Sequence, residues 1–479
     1  MKDPVLSHVR GTPNLLLGNY DLTALGYTVD EYFVAGTAVS YRPVGELGVD
    51  GHWDVVPAER ADYLTRAVTV VPADGARFNG TVVVEWLNVS GGLDAPAVWL
   101  MAHRELLRAG YAYVGVSAQR VGIEGGAALV GDLSLKTLDP QRYAPLTHPG
   151  DAFAFDLFSQ LGAVVRHRGD ELLGDLRPER ILAVGESQSA MFLTTYLNAV
   201  APLAEIYDGY LVHSRFGPAA PLDGRSILDP DTVASLPCPR FRDDLRTPVL
   251  AVITETDLVG GVLPGYCTAG QPDEKFLRVW EIPGAAHADN YTIQGAFLDS
   301  GRAPIEDLAQ AFRPTDTLMG RRLDRFLNFA PQHHYVLHAA IARLDDWVRT
   351  GRPAPAAARI ALTDDESPTI ATDSHGIARD GVRTPWVDTP LAATSGLNTE
   401  SDRMSKLFGS GELFDTAHLH RRYPGGRTEY LTEFTTALDR TIAAGFLTSA
   451  DRQEILELTA ITAEWRFDPG AFHQSGSVR

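Results

Sequence analysis

The chain has 479 residues, of which 44% are hydrophobic and 22% charged, and this composition excludes a disordered or fibrous protein. Its formal charge of −19, from 61 acidic against 42 basic residues, argues against a nucleic-acid surface, because such a surface needs clustered positive charge. The length allows either two or three domains of average size or one large domain with insertions.

The termini and the cysteines carry little further signal. The N-terminus lacks the apolar segment of a signal peptide, and no stretch approaches the roughly 18 apolar residues of a membrane span. We therefore expect a cytoplasmic protein without a membrane span, although export with a removed signal peptide stays open. Cys238 and Cys267 are too few for a zinc site, and the sequence favours two free thiols over one bridge.

The first elements along the chain predict a sheet. Strand-like segments at 31–41 and 66–72 suit an antiparallel opening, and a β-branched run follows at 81–87. A helical pattern over 95–109 then leads into a strand at 111–117. From there strands and helices alternate, which predicts an α/β protein with a mainly parallel central sheet flanked by helices.

The middle of the chain continues this alternation. Segment 120–150 is rich in Gly and Pro without a clear period, so we predict a long loop there. A helix over 151–168 follows, and further strands are predicted at 207–213, 248–254 and 276–282.

Two segments between these elements have the composition of cap or lid insertions. They span 214–247, which is rich in proline, and 288–331, which mixes loop and helix. Toward the C-terminus, a helix is predicted over 333–350 and a helical region over 426–466.

The stretch 181–196 reads as a strand, a sharp turn and a helix, with Ser187 in the turn. Small residues, Gly185 and Ser189, stand two positions either side of this serine, as the nucleophile elbow requires because its turn brings backbones close together. The pattern departs from G-x-S-x-G at its last position. Since a serine in such a place can also be an ordinary turn or helix-cap residue, the rest of the chain must decide.

A nucleophilic serine needs a histidine to accept its proton and an acid to orient that histidine. His287 lies in a Gly/Ala-rich turn after the last predicted strand, and Glu255 and Asp257 follow the strand before it. The order serine, acid, histidine is the one expected for this arrangement. We favour Asp257 as the acid, with Glu255 as the alternative, and either acid can instead be a loop cap or a solvated charge.

An oxyanion hole needs two donors. One should be the backbone N–H of Gln188, the residue after the nucleophile, and the other should come from the loop after the 81–87 strand. There the candidates are the Asn88 side chain and the backbone of Val89 or Ser90. The alternative is that the glycines at 91–92 form a tight turn and have no other role.

Other chemistries find less support. The chain lacks the phosphate-binding motifs G-x-x-x-x-G-K-[ST] and G-x-G-x-x-G. His334 and His338 have a spacing that can hold a metal, but without an H-E-x-x-H motif we interpret them as surface or packed residues, and we expect no metal and no cofactor. Arg215 follows a strand and either binds substrate or forms a structural salt bridge.

Several motifs together resemble the α/β-hydrolase superfamily, specifically the bacterial proteins known only as "alpha/beta hydrolase domain" proteins. The resemblance implies an α/β-hydrolase fold with cap insertions, and its reach implies that the extension over 352–479 belongs to the same single domain, 1–479. It also implies serine-dependent hydrolysis without a cofactor. The motifs are Glu85–Gly92, Val114–Gln119, Gly185–Ser189, Thr254–Asp257, Gly284–His287 and Gly381–Pro385.

The sequence thus predicts a serine hydrolase that cleaves carboxylic esters through Ser187, His287 and Asp257 and an acyl-enzyme intermediate. We expect a small-molecule ester as the substrate, and we expect no nucleic-acid partner. Two alternatives remain at this stage: an acyltransferase or lyase on the same fold, and a non-catalytic binding protein.

Overall fold

The structure, a computed structural model, describes residues 3–363 and 366–468. Within this part of the chain, nine strands form the main sheet in the order β1-β2-β3-β5-β4-β6-β7-β8-β9. The strands are β1 (Val5–Val9), β2 (Tyr27–Pro43), β3 (Val55–Pro72), β4 (Thr81–Trp86), β5 (Ala112–Val116), β6 (Arg180–Glu186), β7 (Gly209–His213), β8 (Val249–Thr254) and β9 (Leu277–Ile282).

The sheet changes direction at β5. The pairs β1·β2, β2·β3 and β3·β5 are antiparallel, whereas β5·β4, β4·β6, β6·β7 and β7·β8 are parallel. Strands β4, β5, β7 and β8 are buried along their whole length and β6 is buried except at its two ends, as expected for strands covered by helices on both faces. The predicted mainly parallel α/β architecture is confirmed.

The antiparallel edge extends beyond the prediction. Strands β2 and β3 are 17 and 18 residues long, and β1 was not predicted at all. The segment Val5–Val9 is mostly exposed along its length, so it shows no buried face that a periodicity search could detect. It is a strand because it pairs in register with residues 31–35 of β2.

Helices fill most of the connections. Two of them, Ala97–Arg108 and Ala154–His167, lie in the regions 95–109 and 151–168 that were predicted as helical. Single 3₁₀ or π turns lie at Gly75–Arg77, Asp151–Phe153, Tyr196–Val200, Tyr266–Ala269, Tyr291–Gly295 and Ser449–Asp451. The helices are α1 (Ala97–Arg108), α2 (Arg120–Glu124), α3 (Leu135–Leu138), α4 (Pro140–Tyr143), α5 (Ala154–His167), α6 (Asp170–Leu173), α7 (Gln188–Thr195), α8 (Ala201–Ala204), α9 (Pro230–Ser235), α10 (Glu255–Val259), α11 (Ala296–Leu298), α12 (Ile305–Ala311), α13 (Gln332–Thr350), α14 (Pro385–Asp388), α15 (Arg403–Leu407), α16 (Thr416–Arg422), α17 (Gly426–Ala444) and α18 (Arg452–Phe467).

The predictions for two segments, 120–150 and 426–466, need correction. Segment 120–150, predicted as a loop, contains the short helices α2, α3 and α4, which are too brief to show a helical period. The region 426–466, predicted as one helical stretch, is two helices, because Gly445 ends α17 at φ 88° and the Thr448 side chain caps the following turn.

Short strands also pair outside the main sheet: β10 (Thr317–Leu318) with β11 (Arg321–Arg322), and β12 (Ala392–Ser395) with β13 (Ser410–Leu413). Among the described residues, no helix combines the length and the apolar character needed to cross a membrane.

The described residues divide into two compact units. The first contains the described residues of Met1–Val252, Leu263–Val279 and Leu344–Ala354, and the second those of Ile253–Val262, Trp280–Arg343 and Pro355–Arg479. The predicted cap segment 214–247 lies in the first unit and 288–331 in the second. The single domain over 1–479 and the cap roles of these segments stay predictions.

An aromatic cluster supports the strand ends of the first unit. Trp86, the last residue of β4, packs against Phe158 and Phe192 with ring centroids 4.7 and 5.2 Å apart. Phe192 belongs to α7, so the helix that follows Ser187 is anchored on the centre of the sheet.

Candidate active site

Ser187 occupies a strained turn between β6 and α7. Its backbone has φ 59° and ψ −115°, a conformation that costs a non-glycine residue about 1–3 kcal/mol. Its N–H donates to the carbonyl of His213 on β7 at 3.0 Å, which ties the turn to the sheet, and the residue is partly exposed. This is the geometry of a nucleophile elbow.

The small residues around Ser187 have a direct steric reason. A Cβ added to Gly185 would lie 2.9 Å from Leu193 Cδ1 and 3.1 Å from two atoms of Ser189. Ser189 itself is fully buried, and its hydroxyl has no hydrogen-bond partner. Position 189 therefore needs a small side chain but not a hydroxyl, which explains how serine can stand where the usual motif has glycine.

The loop after β4 lies beside this turn. The Asn88 side chain donates to the Glu186 carbonyl at 3.0 Å, and the Ser90 N–H donates to Asn88 Oδ1 at 2.8 Å. The Val89 N–H donates to the side-chain oxygen of Gln188 at 3.2 Å. All three predicted sources of the second oxyanion donor are thus brought next to the elbow, and each is engaged within the protein.

Two buried acidic residues stand on either side of this loop in the sequence. Glu85 accepts hydrogen bonds from the N–H groups of Val98 and Trp99 at the start of α1, at 2.7 and 3.0 Å, and from the Tyr113 hydroxyl. Burial raises the pKa of Glu85 to about 8, and its hydrogen bonds oppose that rise.

The second carboxylate, Asp94, accepts from the Arg66 guanidinium at 2.8 Å and from the Ser117 hydroxyl, with Arg66 and Asp94 almost fully buried. Sequence reasoning did not find this network. Its members stand tens of residues apart, and only the pairing of strands brings them together.

His287 and Asp257 form a hydrogen-bonded pair in the second unit. The His287 Nδ1–H donates to Asp257 Oδ1 at 2.6 Å, with the aspartate carboxylate completely buried. The His287 N–H also donates to the Thr256 hydroxyl at 3.1 Å, which fixes the turn that carries the imidazole. A carboxylate in this position holds the imidazole in one tautomer and stabilises its protonated form.

Thr254 orients the acid. Its N–H and its hydroxyl donate to Asp257 Oδ2 at 2.8 and 2.7 Å, and together the two residues form the capping box of α10. Asp257 therefore turns one oxygen to the helix cap and the other to His287. The sequence does contain a signal for this: a threonine three residues before an acid, directly after a strand.

Glu255, the alternative acid, has other partners. Its carboxylate accepts from the N–H of Gly284 at 2.5 Å, the Ser395 hydroxyl at 2.7 Å and the N–H of Gly396 at 2.9 Å. Burial raises its pKa, and these three donors oppose the rise. Glu255 thereby joins the histidine-bearing turn to the 395–396 segment.

A further buried histidine lies in the second unit. His333 at the start of α13 is buried, and burial lowers its pKa to about 4, so that it carries no charge near pH 7. Asp257 opposes this lowering and His287 adds to it, which places His333 within their electrostatic range.

Arg215 is fully buried two residues after β7. Its guanidinium lies over the rings of Phe241 and Tyr266, and Nη2 donates to the carbonyls of Gly217 and Pro239. Its Nε and Nη1 have no hydrogen-bond partner, and burial lowers its pKa to about 10. The structural salt bridge considered for Arg215 is absent from the described residues.

The histidines considered as metal ligands are packed. His334 stacks on Tyr291 with ring centroids 3.7 Å apart, and His338 lies 3.1 Å from Asp451. Cys238 and Cys267 are not joined by a disulfide, as the sequence favoured.

A strand–elbow–helix at the centre of a mainly parallel sheet, with an Asp–His pair after its later strands, defines an α/β-hydrolase. Comparison with known protein families shows which family within this class the chain belongs to. The chain belongs to the alpha/beta hydrolase domain family, whose pattern matches residues 2–457, and the resemblance inferred from the motifs is confirmed.

Other comparisons add only distant likenesses. No curated protein matches the chain. Among solved structures, a variant of the esterase Est22 is 13% identical, with 62% of this chain and 83% of that chain covered and a TM-score of 0.35. A cold-adapted esterase from an Arctic intertidal metagenomic library is 13% identical, with coverages of 54% and 86% and a TM-score of 0.30. Esterase 2 of Thermogutta terrifontis is 14% identical, with coverages of 46% and 78% and a TM-score of 0.29.

Proposed function

We propose that the protein is a serine hydrolase that cleaves carboxylic esters, with Ser187 as nucleophile, His287 as general base and acid, and Asp257 as the acid that orients His287. The observation that carries the proposal is the buried 2.6 Å hydrogen bond between His287 and Asp257. Ser187 supports it, because its φ of 59° and ψ of −115° form the turn of a nucleophile elbow and the residue is partly exposed.

In this mechanism His287 takes the proton of the Ser187 hydroxyl as the serine oxygen attacks the ester carbonyl. The imidazolium then gives that proton to the leaving alcohol, which departs and leaves an acyl-enzyme. Water, activated in the same way, releases the carboxylic acid and restores the serine. Asp257 orients the imidazole and stabilises the imidazolium.

For the oxyanion hole we propose the backbone N–H groups of Gln188 and Val89. The Ser90 N–H and the Asn88 side chain are engaged in contacts that shape the loop itself. The acceptor on the Val89 N–H, by contrast, is a side-chain oxygen of Gln188, which can rotate away when a substrate oxygen takes its place.

A fluorophosphonate probe tests the nucleophile, because it phosphonylates only activated serines. We expect intact-protein mass spectrometry to show one adduct, mapped by peptide analysis to Ser187, and no adduct in Ser187→Ala. Ser214→Ala is the matched control, since Ser214 also has a positive φ but is fully buried. Labelling that persists in Ser187→Ala, together with unchanged ester turnover, contradicts the proposal.

The same preparation separates hydrolysis from acyl transfer. With an added alcohol acceptor, a hydrolase releases mainly the free acid, whereas an acyltransferase forms mainly the new ester. Predominant transfer at a low concentration of acceptor overturns the assignment to hydrolysis while leaving the triad intact.

We further propose that Arg215 binds a carboxylate on the substrate. Within the described residues its buried charge has no carboxylate partner, and a substrate carboxylate would supply one. The test compares monoethyl adipate with diethyl adipate. Arg215→Met should lower kcat/KM for the monoester and not for the diester, and an equal loss for both indicates a structural role.

A further inference from the structure

A large cavity lies in the second unit. Its volume is about 650 Å³, within the range of sites that enclose a whole small molecule. Neither Asp257 nor His287 lines it. Its walls come from the 312–331 segment, from α14 and the residues after it, from β12 and β13, and from the facing sides of α17 and α18.

Six of the nineteen residues that line the cavity are aromatic, and two of these rings, Trp386 and Tyr430, pack against neighbouring rings. Trp386 stacks parallel to Tyr335 with centroids 5.8 Å apart, and its edge meets Phe434 at 5.5 Å. Tyr430 lies 5.8 Å from the same Phe434. Because these rings are packed from behind, the cavity is preformed and suits a rigid apolar body.

The charge of the lining is unusual for this protein. Arg313 and Arg466 both line the cavity, and no Asp or Glu is among the described residues that do. The chain as a whole has 61 acidic against 42 basic residues, so a wall with two cations and no acid is opposite in sign to the rest of the molecule. An anion is the ligand that such a wall favours.

Arg466 has spare hydrogen-bonding capacity. Its Nη2 donates to the carbonyl of Phe414, while its buried Nε has no partner. Partial burial lowers its pKa without a carboxylate to oppose the change. A planar guanidinium with an unsatisfied N–H group matches the two coplanar oxygens of a carboxylate.

Helix α18 places a second polar group beside this arginine. Residues 458, 459, 462, 465 and 466 recur at helical spacing, so that one face of the helix lines the cavity. On this face the Thr459 hydroxyl is buried without a hydrogen-bond partner, whereas the Thr462 hydroxyl donates back to the Leu458 carbonyl. The orphaned hydroxyl of Thr459 is free to donate to a ligand.

We propose that this cavity is a binding site for a small amphipathic carboxylic acid, with its aromatic or branched body between Trp386 and Trp465 and its carboxylate on Arg466 and Thr459. The residues that line this site do not include Ser187, Asp257 or His287. It lets the chain bind a carboxylic acid, the class of product that ester hydrolysis releases, without occupying the catalytic pair.

Calorimetric titration of the full chain with 2-naphthoate and its neutral analogue 2-naphthamide tests the proposal. The two ligands share a ring system and differ in charge, and we expect the acid to bind at least about tenfold more tightly. Arg466→Gln should bring the two affinities together, and Arg466→Lys should retain part of the preference. Thr459→Val should weaken the acid several-fold.

Arg452→Gln is the matched control, because Arg452 lies on the same helix but pairs with Asp439 at the surface, and it should leave both affinities unchanged. Melting temperatures verify that each variant is folded. Equal affinity of acid and amide, a preference that survives Arg466→Gln, or no binding of the acid overturns the proposal. Ser187→Ala should bind 2-naphthoate like the natural chain, so the outcome does not depend on the proposed esterase activity.

Discussion

Replacing Asp257 with asparagine exchanges one carboxylate oxygen for an NH₂ group in a place where three donors converge. Oδ2 now accepts from the N–H and hydroxyl of Thr254, and Oδ1 accepts from His287 Nδ1. The backbone N–H of Thr254 can only donate, so the single amide oxygen must face Thr254. The NH₂ group then faces His287 and requires Nδ1 to become an acceptor.

This change moves the imidazole proton to Nε2, the nitrogen that should accept the proton of Ser187. We therefore expect Asp257→Asn to lower kcat by about 10³–10⁴-fold, which corresponds to about 4–5.5 kcal/mol of activation free energy. Since the shape and the number of hydrogen bonds are kept, the free energy of unfolding should fall by only about 1–2 kcal/mol.

The assay is the turnover of p-nitrophenyl butyrate at 25 °C, with the melting temperature measured on the same preparation. Glu255→Gln provides the control, because that substitution also places one NH₂ group among donors, those of Gly284, Ser395 and Gly396. It should lower the melting temperature while kcat of the folded protein stays within about threefold.

If Asp257→Asn keeps kcat within about tenfold of the natural chain, Asp257 does not set the tautomer of His287. If Glu255→Gln lowers kcat as strongly as Asp257→Asn, Glu255 is the orienting acid.

Three further outcomes are expected. Ser189→Ala should keep kcat and raise the free energy of unfolding by up to about 1 kcal/mol, measured in urea, because it removes a buried hydroxyl without a partner; a clear loss would show an unseen contact. Asp94→Ala should lower the free energy of unfolding, measured in urea, by about 3–5 kcal/mol, because Arg66 stays buried with one partner fewer. Asp223→Ala removes one partner of an exposed ion pair and should lower it by less than about 1 kcal/mol. Burial raises the pKa of Glu85 from 4.5 to about 8, so the folded chain keeps a proton that the unfolded chain releases, and stability should fall as pH rises through this window. The free energy of unfolding, measured at about pH 5.5, 7 and 8.5, should fall less steeply with pH in Glu85→Gln than in the natural chain. The two slopes should differ by at most about 1.4 kcal/mol per pH unit, and equal slopes would refute the assignment to Glu85.

The sequence predicted the features that depend on local pattern and strand order. Alternating strands and helices predicted the mainly parallel sheet, and the order of the strands was enough to propose Ser187, Asp257 and His287 as site residues. The exclusion of large side chains at Gly185 was readable for the same reason, since its contacts lie within the next eight residues.

Features that depend on distant segments could not be predicted. Asp257 and Glu255 stand two residues apart after the same strand, and what distinguishes their surroundings is the arrival of donors from Gly284 and Gly396 at Glu255. The same is true of the cavity, whose Arg313 and Arg466 are about 150 residues apart in sequence. Periodicity reports which face of a helix is buried, but not which other segment meets that face.

A positive φ occurs at two serines that follow parallel strands of this sheet. Ser214, which follows β7, has a φ of 52°, and its N–H donates to the Val252 carbonyl on the next strand, just as the Ser187 N–H donates to the His213 carbonyl. The two serines differ in solvent access, because Ser214 is fully buried and Ser187 is partly exposed. A search for nucleophilic serines by positive φ alone would therefore return two candidates in this protein, and accessibility is the property that leads us to propose Ser187.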